Sequence, residues 1–421
     1  MIVDPLIFAR AIHFAATILA SGTVAFMVLV AEPAARAKIP PGFASLRRRL
    51  VNLTCIALVV AILSGAAWLV LFASNILGAS ITDVCLHGEL WSVVSDTRFG
   101  LVWIGRLALA LLLAVQIVWP AMRPLQLATA AVFLALPALV GHAGATPGIG
   151  GDIHLASDML HLLAAGAWLG SLPALTLLLA HARRATRPAW KDFAIVATRQ
   201  FSILGIVSVG TLLATGIINS WNMLGGPRHL VATDYGRFVA LKIGLFLSMV
   251  ALATVNRFYL TPHLPQPRAS RTLQRNSVAE ILLGLCVLLF VGVLGTLPPP
   301  AHIHPETADV PPGAAFVHIH DADVMADVTV DPGRAGRANV VIRVLREDFS
   351  RFPAKEVHLT LESPGTGVRQ PPEEALAEQA DGTWLATGIE FPEPGVWTIR
   401  VIVTTRQAKR LVLDAPLAIE R

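Results

Sequence analysis

Eight runs of about 20 mostly apolar residues dominate the chain, at roughly 6–30, 51–74, 100–119, 124–141, 154–180, 201–223, 236–256 and 278–297. A stretch of that length and polarity is what an α-helix needs to cross the hydrocarbon core of a bilayer. With 54% hydrophobic and 14% charged residues in 421, and a mean hydropathy of +0.64, the composition lies outside the range of soluble globular domains. The fold class expected is an all-α membrane bundle of eight helices followed by a small all-β domain. The charge is unevenly spread: 18 of the 28 acidic residues follow residue 300, whereas 21 of the 33 basic ones precede it. An apolar, basic body of residues 1–300 therefore precedes an acidic, water-soluble tail.

The loops between the runs alternate in charge. Arg36, Lys38 and Arg47 to Arg49 follow the first run, Arg123 the third, Arg183, Arg184, Arg187 and Lys191 the fifth, and Arg257, Arg268, Arg271 and Arg275 the seventh. The positive-inside rule makes these four loops cytoplasmic, so both termini and the tail are expected in the periplasm of a bacterial inner membrane. The basic excess then reports topology and contact with anionic lipid, not nucleic acid. Cys55, Cys85 and Cys286 form no C-x-x-C and suggest neither a disulfide framework nor a zinc knuckle. The N-terminus has no basic region before its apolar run and no small-residue cleavage site, and is expected to begin the first span.

The body repeats itself. His13 is followed by Ala16 and Gly22, and His161 by Ala164 and Gly170 at the same offsets. Thr97-x-Phe99-Gly100 precedes Arg106 as Thr233-x-Tyr235-Gly236 precedes Lys242, and Ser64-Gly65 corresponds to Thr215-Gly216. Two four-span repeats, about 5–145 and 150–300, are the natural reading. An even number of crossings inserts both the same way, related by a pseudo-twofold along the membrane normal. His13 and His161 are then expected to face each other across one interface. The glycines read as helix-packing positions. Arg106 and Lys242 either snorkel to the outer head groups or pair with Asp158 or an anionic ligand.

Ionisable side chains in a span are costly and mark function. His154, Asp158 and His161 at i, i+4 and i+7 share one helix stripe about 10 Å long. His142, in the turn after the fourth span, reaches the same rim, so with His13 four histidines and a carboxylate are expected to converge near the outer third of the membrane. Imidazole with thioether suits copper; imidazole with carboxylate also suits zinc, iron or a proton relay. A helix-interface histidine satisfied by hydrogen bonds is the structural alternative.

The half-motif His161-x6-Trp168-Leu169-Gly170, its echo at His13, the Gly141-His142-Ala143 turn and the exit Thr296-Leu297-Pro298-Pro299 resemble the CopD copper-resistance membrane family over about residues 5 to 300. The resemblance implies an eight-span inner-membrane protein that moves copper from periplasm toward cytoplasm. Ser171 departs from the second glycine common at that position, a change expected to affect packing more than ligation.

After a His- and Pro-rich linker, 301–315, short alternating runs punctuated by Pro-Gly turns read as a β-sandwich over 316–421. Its Pro394-Gly395-x-Trp397 turn and Gly382-x-Trp384 resemble the small immunoglobulin-like YtkA type of periplasmic domain. His302, His304, His318, His320 and Met325 are expected to collect copper there and pass it to the membrane histidines; a solvated linker with incidental histidines is the alternative. No P-loop, Asp-Lys-Thr-Gly-Thr or Cys-Pro-Cys is present, which excludes an ATP-driven copper pump. The class expected is a transporter or metal-binding protein, not an enzyme, with copper ion, membrane lipid and a periplasmic copper chaperone as partners. A haem b protein, with His13, His161 or His142 as axial ligands and Arg106 or Lys242 on the propionates, stays open beside it, as does a non-transporting sensor or scaffold.

Overall fold

The computed structural model describes residues 4–37, 39–77, 80–86, 89–141, 148–185, 187–264, 266–297, 299–302, 310–320, 324–346, 350–362, 369–406 and 409–420. Two compact units divide the chain, Met1–Ile303 and His304–Arg421.

Among the described residues of the first unit, eight helices are long and apolar enough to cross a membrane: α1 (Pro5–Arg36), α2 (Phe43–Asn75), α3 (Arg98–Gln116), α4 (Arg123–Val140), α5 (Gly150–Arg184), α6 (Pro188–Leu224), α7 (Asp234–Leu260) and α8 (Pro267–Leu294). Local chemistry sets their ends. Asp4 accepts a hydrogen bond from the Leu6 amide (2.8 Å) with Pro5 at the first helical position, and Gly225, at φ +65°, closes α6 by donating to the Trp221 carbonyl. A π-turn at Met27–Ala31 carries α1 past its apolar run, and a 3₁₀ turn at Leu169–Ser171 interrupts α5 just before Pro173, which has no N–H to continue the ladder.

The paired sequence motifs fold alike. Thr97 caps α3 by accepting from the Gly100 amide, and Thr233 caps α7 by accepting from Gly236, each at 3.0 Å. Each glycine is pressed against the short helix before it: a Cβ on Gly100 would lie 2.3 Å from the Val94 Cα, and one on Gly236 would lie 1.9 Å from the His229 carbonyl oxygen. α1 and α5, the corresponding first helices of the two halves, form the enclosed centre: 72% of α1's apolar window is buried against 11% for α7. They cross at corresponding residues. A Cβ on Gly22 would lie 2.3 Å from the Gly170 carbonyl carbon, and one on Gly170 would lie 2.1 Å from the Ile18 oxygen, so the two backbones touch as small residues permit. Ser171 strengthens this seam by donating its hydroxyl to the Gly22 carbonyl (2.8 Å).

The described residues of the second unit form a sandwich of nine strands: β1 (Ala315–His320), β2 (Met325–Asp331), β3 (Gly336–Leu345), β4 (Ala354–Glu362), β5 (Arg369–Ala375), β6 (Ala377–Glu378), β7 (Trp384–Phe391), β8 (Gly395–Thr405) and β9 (Arg410–Ile419). One sheet runs β1-β2-β3-β7-β6 and the other β5-β4-β8-β9, all pairs antiparallel. Period-two burial along β9 shows the inward face. Trp397 lies at the core, edge-on to Phe391, with its indole N–H donated to the Glu393 carbonyl (3.1 Å).

Candidate functional site

His13 is fully buried between α1, α2 and α3, with Trp68 and Trp103 edge-on to its ring at 5.5 and 4.7 Å. Arg106 of α3 donates from Nη2 to the His13 Nε2 (2.7 Å), so Nε2 is the acceptor and the neutral ring carries its proton on Nδ1, which donates to the Ala61 carbonyl (2.9 Å). The same guanidinium donates to the Thr17 hydroxyl (3.2 Å) and to the Phe133 carbonyl (2.7 Å), and lies over the Phe133 ring at 4.6 Å. Arg106 therefore reaches neither head groups nor a carboxylate. Its partner is the histidine, and both ring nitrogens are committed.

The second half builds the same frame with a different outcome. Ser157 donates to the Thr215 carbonyl (3.3 Å), tying α5 to α6. Thr215 spends its hydroxyl proton on the Thr211 carbonyl (2.6 Å), so its oxygen accepts from His161 Nδ1–H (2.9 Å). The tautomer is fixed, and the lone pair of Nε2 is left free: no described residue donates to it. Gly216 makes room, since a Cβ there would lie 3.8 Å from the His161 Cε1. Lys242 corresponds to Arg106 and lies within electrostatic reach of both His161 and Asp158. Asp158, one turn before His161, accepts from the Asn219 side chain (3.3 Å).

The sequence expectation grouped these residues with others, which the structure places as follows. His154 is buried on the same helix, one turn before Asp158. His142 and His304 lie outside the described residues, as do the side chains of His302 and His320. His318 on β1 pairs in register with Asp327 on β2, their side chains in contact, and His320 pairs with Met325, which is fully buried. The seam brings Gly22 and Gly170 together, while His13 and His161 are each engaged within their own half. Among the described residues, no three His, Cys, Asp or Glu side chains gather round one metal position. Sequence reasoning missed Glu280 of α8, 1% exposed; its signal was a lone carboxylate inside the eighth apolar run.

Residues 1–152 match the model of the copper resistance protein D-like N-terminal domain, and residues 195–294 that of copper resistance protein D. Inner membrane protein YebZ of Escherichia coli (strain K12) is 31% identical over 296 residues, which cover 69% of this chain and 97% of that protein. The chain belongs to the copper resistance protein D family. Copper transport protein CutJ of Bacillus subtilis (strain 168) is 27% identical over 328 residues, 75% of this chain and 57% of CutJ, so the family member in hand spans little more than half of that relative. Copper resistance protein D of Pseudomonas syringae pv. tomato is 29% identical over 255 residues, 57% of this chain and 81% of that protein. No solved structure matches. The two family matches fall one on each repeat, the second spanning most of α6 to α8.

Proposed function

We propose that this protein imports copper across the bacterial inner membrane, taking it up on the periplasmic side and holding it at His161 on the way to the cytoplasm. The observation that carries the reading is the free Nε2 of His161, presented by a fixed tautomer beside the Asp158 carboxylate. An imidazole nitrogen with an orienting hydrogen bond on its other nitrogen is the usual form of a metal-binding histidine. Family membership supplies copper as the cargo: the relatives are named for copper transport and copper resistance. The inner-membrane location follows the name of the Escherichia coli relative, and the alternation of basic loops orients both termini outward.

Two donors on one helix are too few for a closed copper site. His142, which lies outside the described residues, adds a donor in this reading, and His302, His304, His318, His320 and Met325 of the tail pass the ion to it and to His154. In this reading the halves differ in role: His13 pins Arg106, and His161 is the ligand. Purified protein loaded with copper and assayed for bound metal tests this. Copper on the wild-type chain that is lost in His161→Ala and retained in His13→Ala supports it. Retention in His161→Ala overturns it, and a Soret band on the protein as purified would replace copper transport with the haem reading.

A further inference from the structure

A second polar site lies in the same half and is not used by the copper reading. A cavity of about 440 Å³ opens between α5, α6, α7 and α8. Its walls are mostly apolar, with Trp168, Leu172 and Phe201 among them, and Ser277 and Glu280 of α8 and Asn256 of α7 also line it. Ser277 and Glu280 are each 1% exposed and stand about 15 to 20 Å along α8 from its first residue. Asn256 begins a π-turn, Asn256–Leu260, whose widened backbone is closed by Thr261 donating both its amide (2.8 Å) and its hydroxyl (2.7 Å) to the Asn256 carbonyl. Such turns recur at functional positions because they spend helix stability on placing one side chain.

Asn256 donates its amide N–H to the Glu280 Oε1 (2.6 Å), and its own side-chain oxygen is taken by the Asn276 amide (2.8 Å). Ser277, one turn before Glu280, has a buried hydroxyl that lines the cavity and finds no hydrogen-bond partner among the described residues. The surrounding charges are few. Arg257 of α7 lines the cavity but turns its Nη1 to the Ser202 hydroxyl of α6 (2.6 Å). α5 and α6 contribute no titratable residue to the lining, and α8 contributes Glu280 alone. α1 also packs on α8, but its Arg10 bonds the Gly295 carbonyl at the far end of that helix.

We infer that Glu280 is an intramembrane proton-binding site, loaded and unloaded through this cavity. The donor set selects the ligand. Hard metal cations take six or more oxygens, whereas here Asn256 presents N–H with its oxygen occupied, the Thr198, Thr254 and Thr261 hydroxyls donate to backbone carbonyls, the Ser202 hydroxyl accepts from Arg257, and the Glu280 carboxylate and Ser277 hydroxyl remain. A proton needs only the carboxylate, and the idle Ser277 hydroxyl lines the same cavity as a polar group on the proton's way in. Without a cation on it, a carboxylate in apolar walls is costly, and a bound proton removes that charge. A site of this kind gives the protein a means to couple proton movement to transport, whatever its cargo.

Dicyclohexylcarbodiimide, which reacts with protonated carboxyls in apolar surroundings, tests this on the full-length protein in detergent. The expected result is one adduct mapped to the peptide containing Glu280, its yield falling about tenfold per pH unit once the proton is lost. Glu280→Gln removes the adduct with an unchanged melting temperature, and Ser277→Ala displaces the pH at which labelling is lost. No adduct at Glu280 in the wild-type chain, or a yield independent of pH, overturns the inference. Because mapping is done on the wild-type chain, a variant that fails to fold does not blunt the test, and because no copper is involved its outcome is separate from that of the transport reading.

Discussion

The two halves put a histidine, a hydroxyl-glycine pair and a long cation in corresponding places and reach opposite results. In the first, the five-donor guanidinium of Arg106 spans His13, Thr17 and Phe133 and closes the site. In the second, the ammonium of Lys242 leaves the His161 Nε2 open while its charge offsets that of Asp158. One scaffold thus closes round its histidine on one side and leaves a ring nitrogen open on the other; Arg106 against Lys242 is one chemical difference between them, and Arg10 against Asp158, each three residues before its histidine, is another.

That contrast can be broken most sharply at the ligand itself. His161→Ala is expected to abolish most copper binding, a loss on the order of 100-fold or more in affinity by metal titration, since orienting groups alone are worth about 10 to 100-fold; His13→Ala is expected to leave copper unchanged. At the seam, Gly170→Ala drives a Cβ into the Ile18 carbonyl and should cost about 3 kcal/mol or more in stability, read as a fall in melting temperature or loss of folded protein. His13→Ala strips a buried guanidinium of one acceptor and should cost about 2–3 kcal/mol, measured by thermal unfolding in detergent. Thr215→Val removes the acceptor that fixes the His161 tautomer, and a roughly tenfold loss of copper affinity with little change in stability sharpens the comparison. The smallest effect lies in the tail. The Thr383 amide and hydroxyl hold the Asp381 carboxyl below the usual carboxylate range, a contribution present at neutral pH and lost as pH falls through the depressed value. Asp381→Asn should shift the acid unfolding of the tail slightly, by tryptophan fluorescence, and leave copper binding alone.

Eight spans, the β tail and the paired motifs are legible in the sequence because each is a local pattern: hydropathy over 20 residues, period-two alternation, or a repeated spacing. Helix ends are less so. Hydropathy marks what hydrocarbon tolerates, whereas backbone hydrogen bonding carries α2 from Phe43 and α6 from Pro188, each well ahead of the apolar run. The target of Arg106 is not readable at all, since it depends on α3 coming alongside α1. The same holds for the partition of the two histidines: identical spacing around His13 and His161 says nothing of which ring nitrogen is already taken. Ser171 shows the reverse case, a residue whose departure pointed to packing and whose hydroxyl is found on the Gly22 carbonyl.

The Gly22–Gly170 contact has a consequence for traffic through the bundle. Where two backbones lie too close to admit a methyl group, neither water nor an ion can file between them. The seam between α1 and α5 is therefore closed at that level, and the import route proposed above runs beside it.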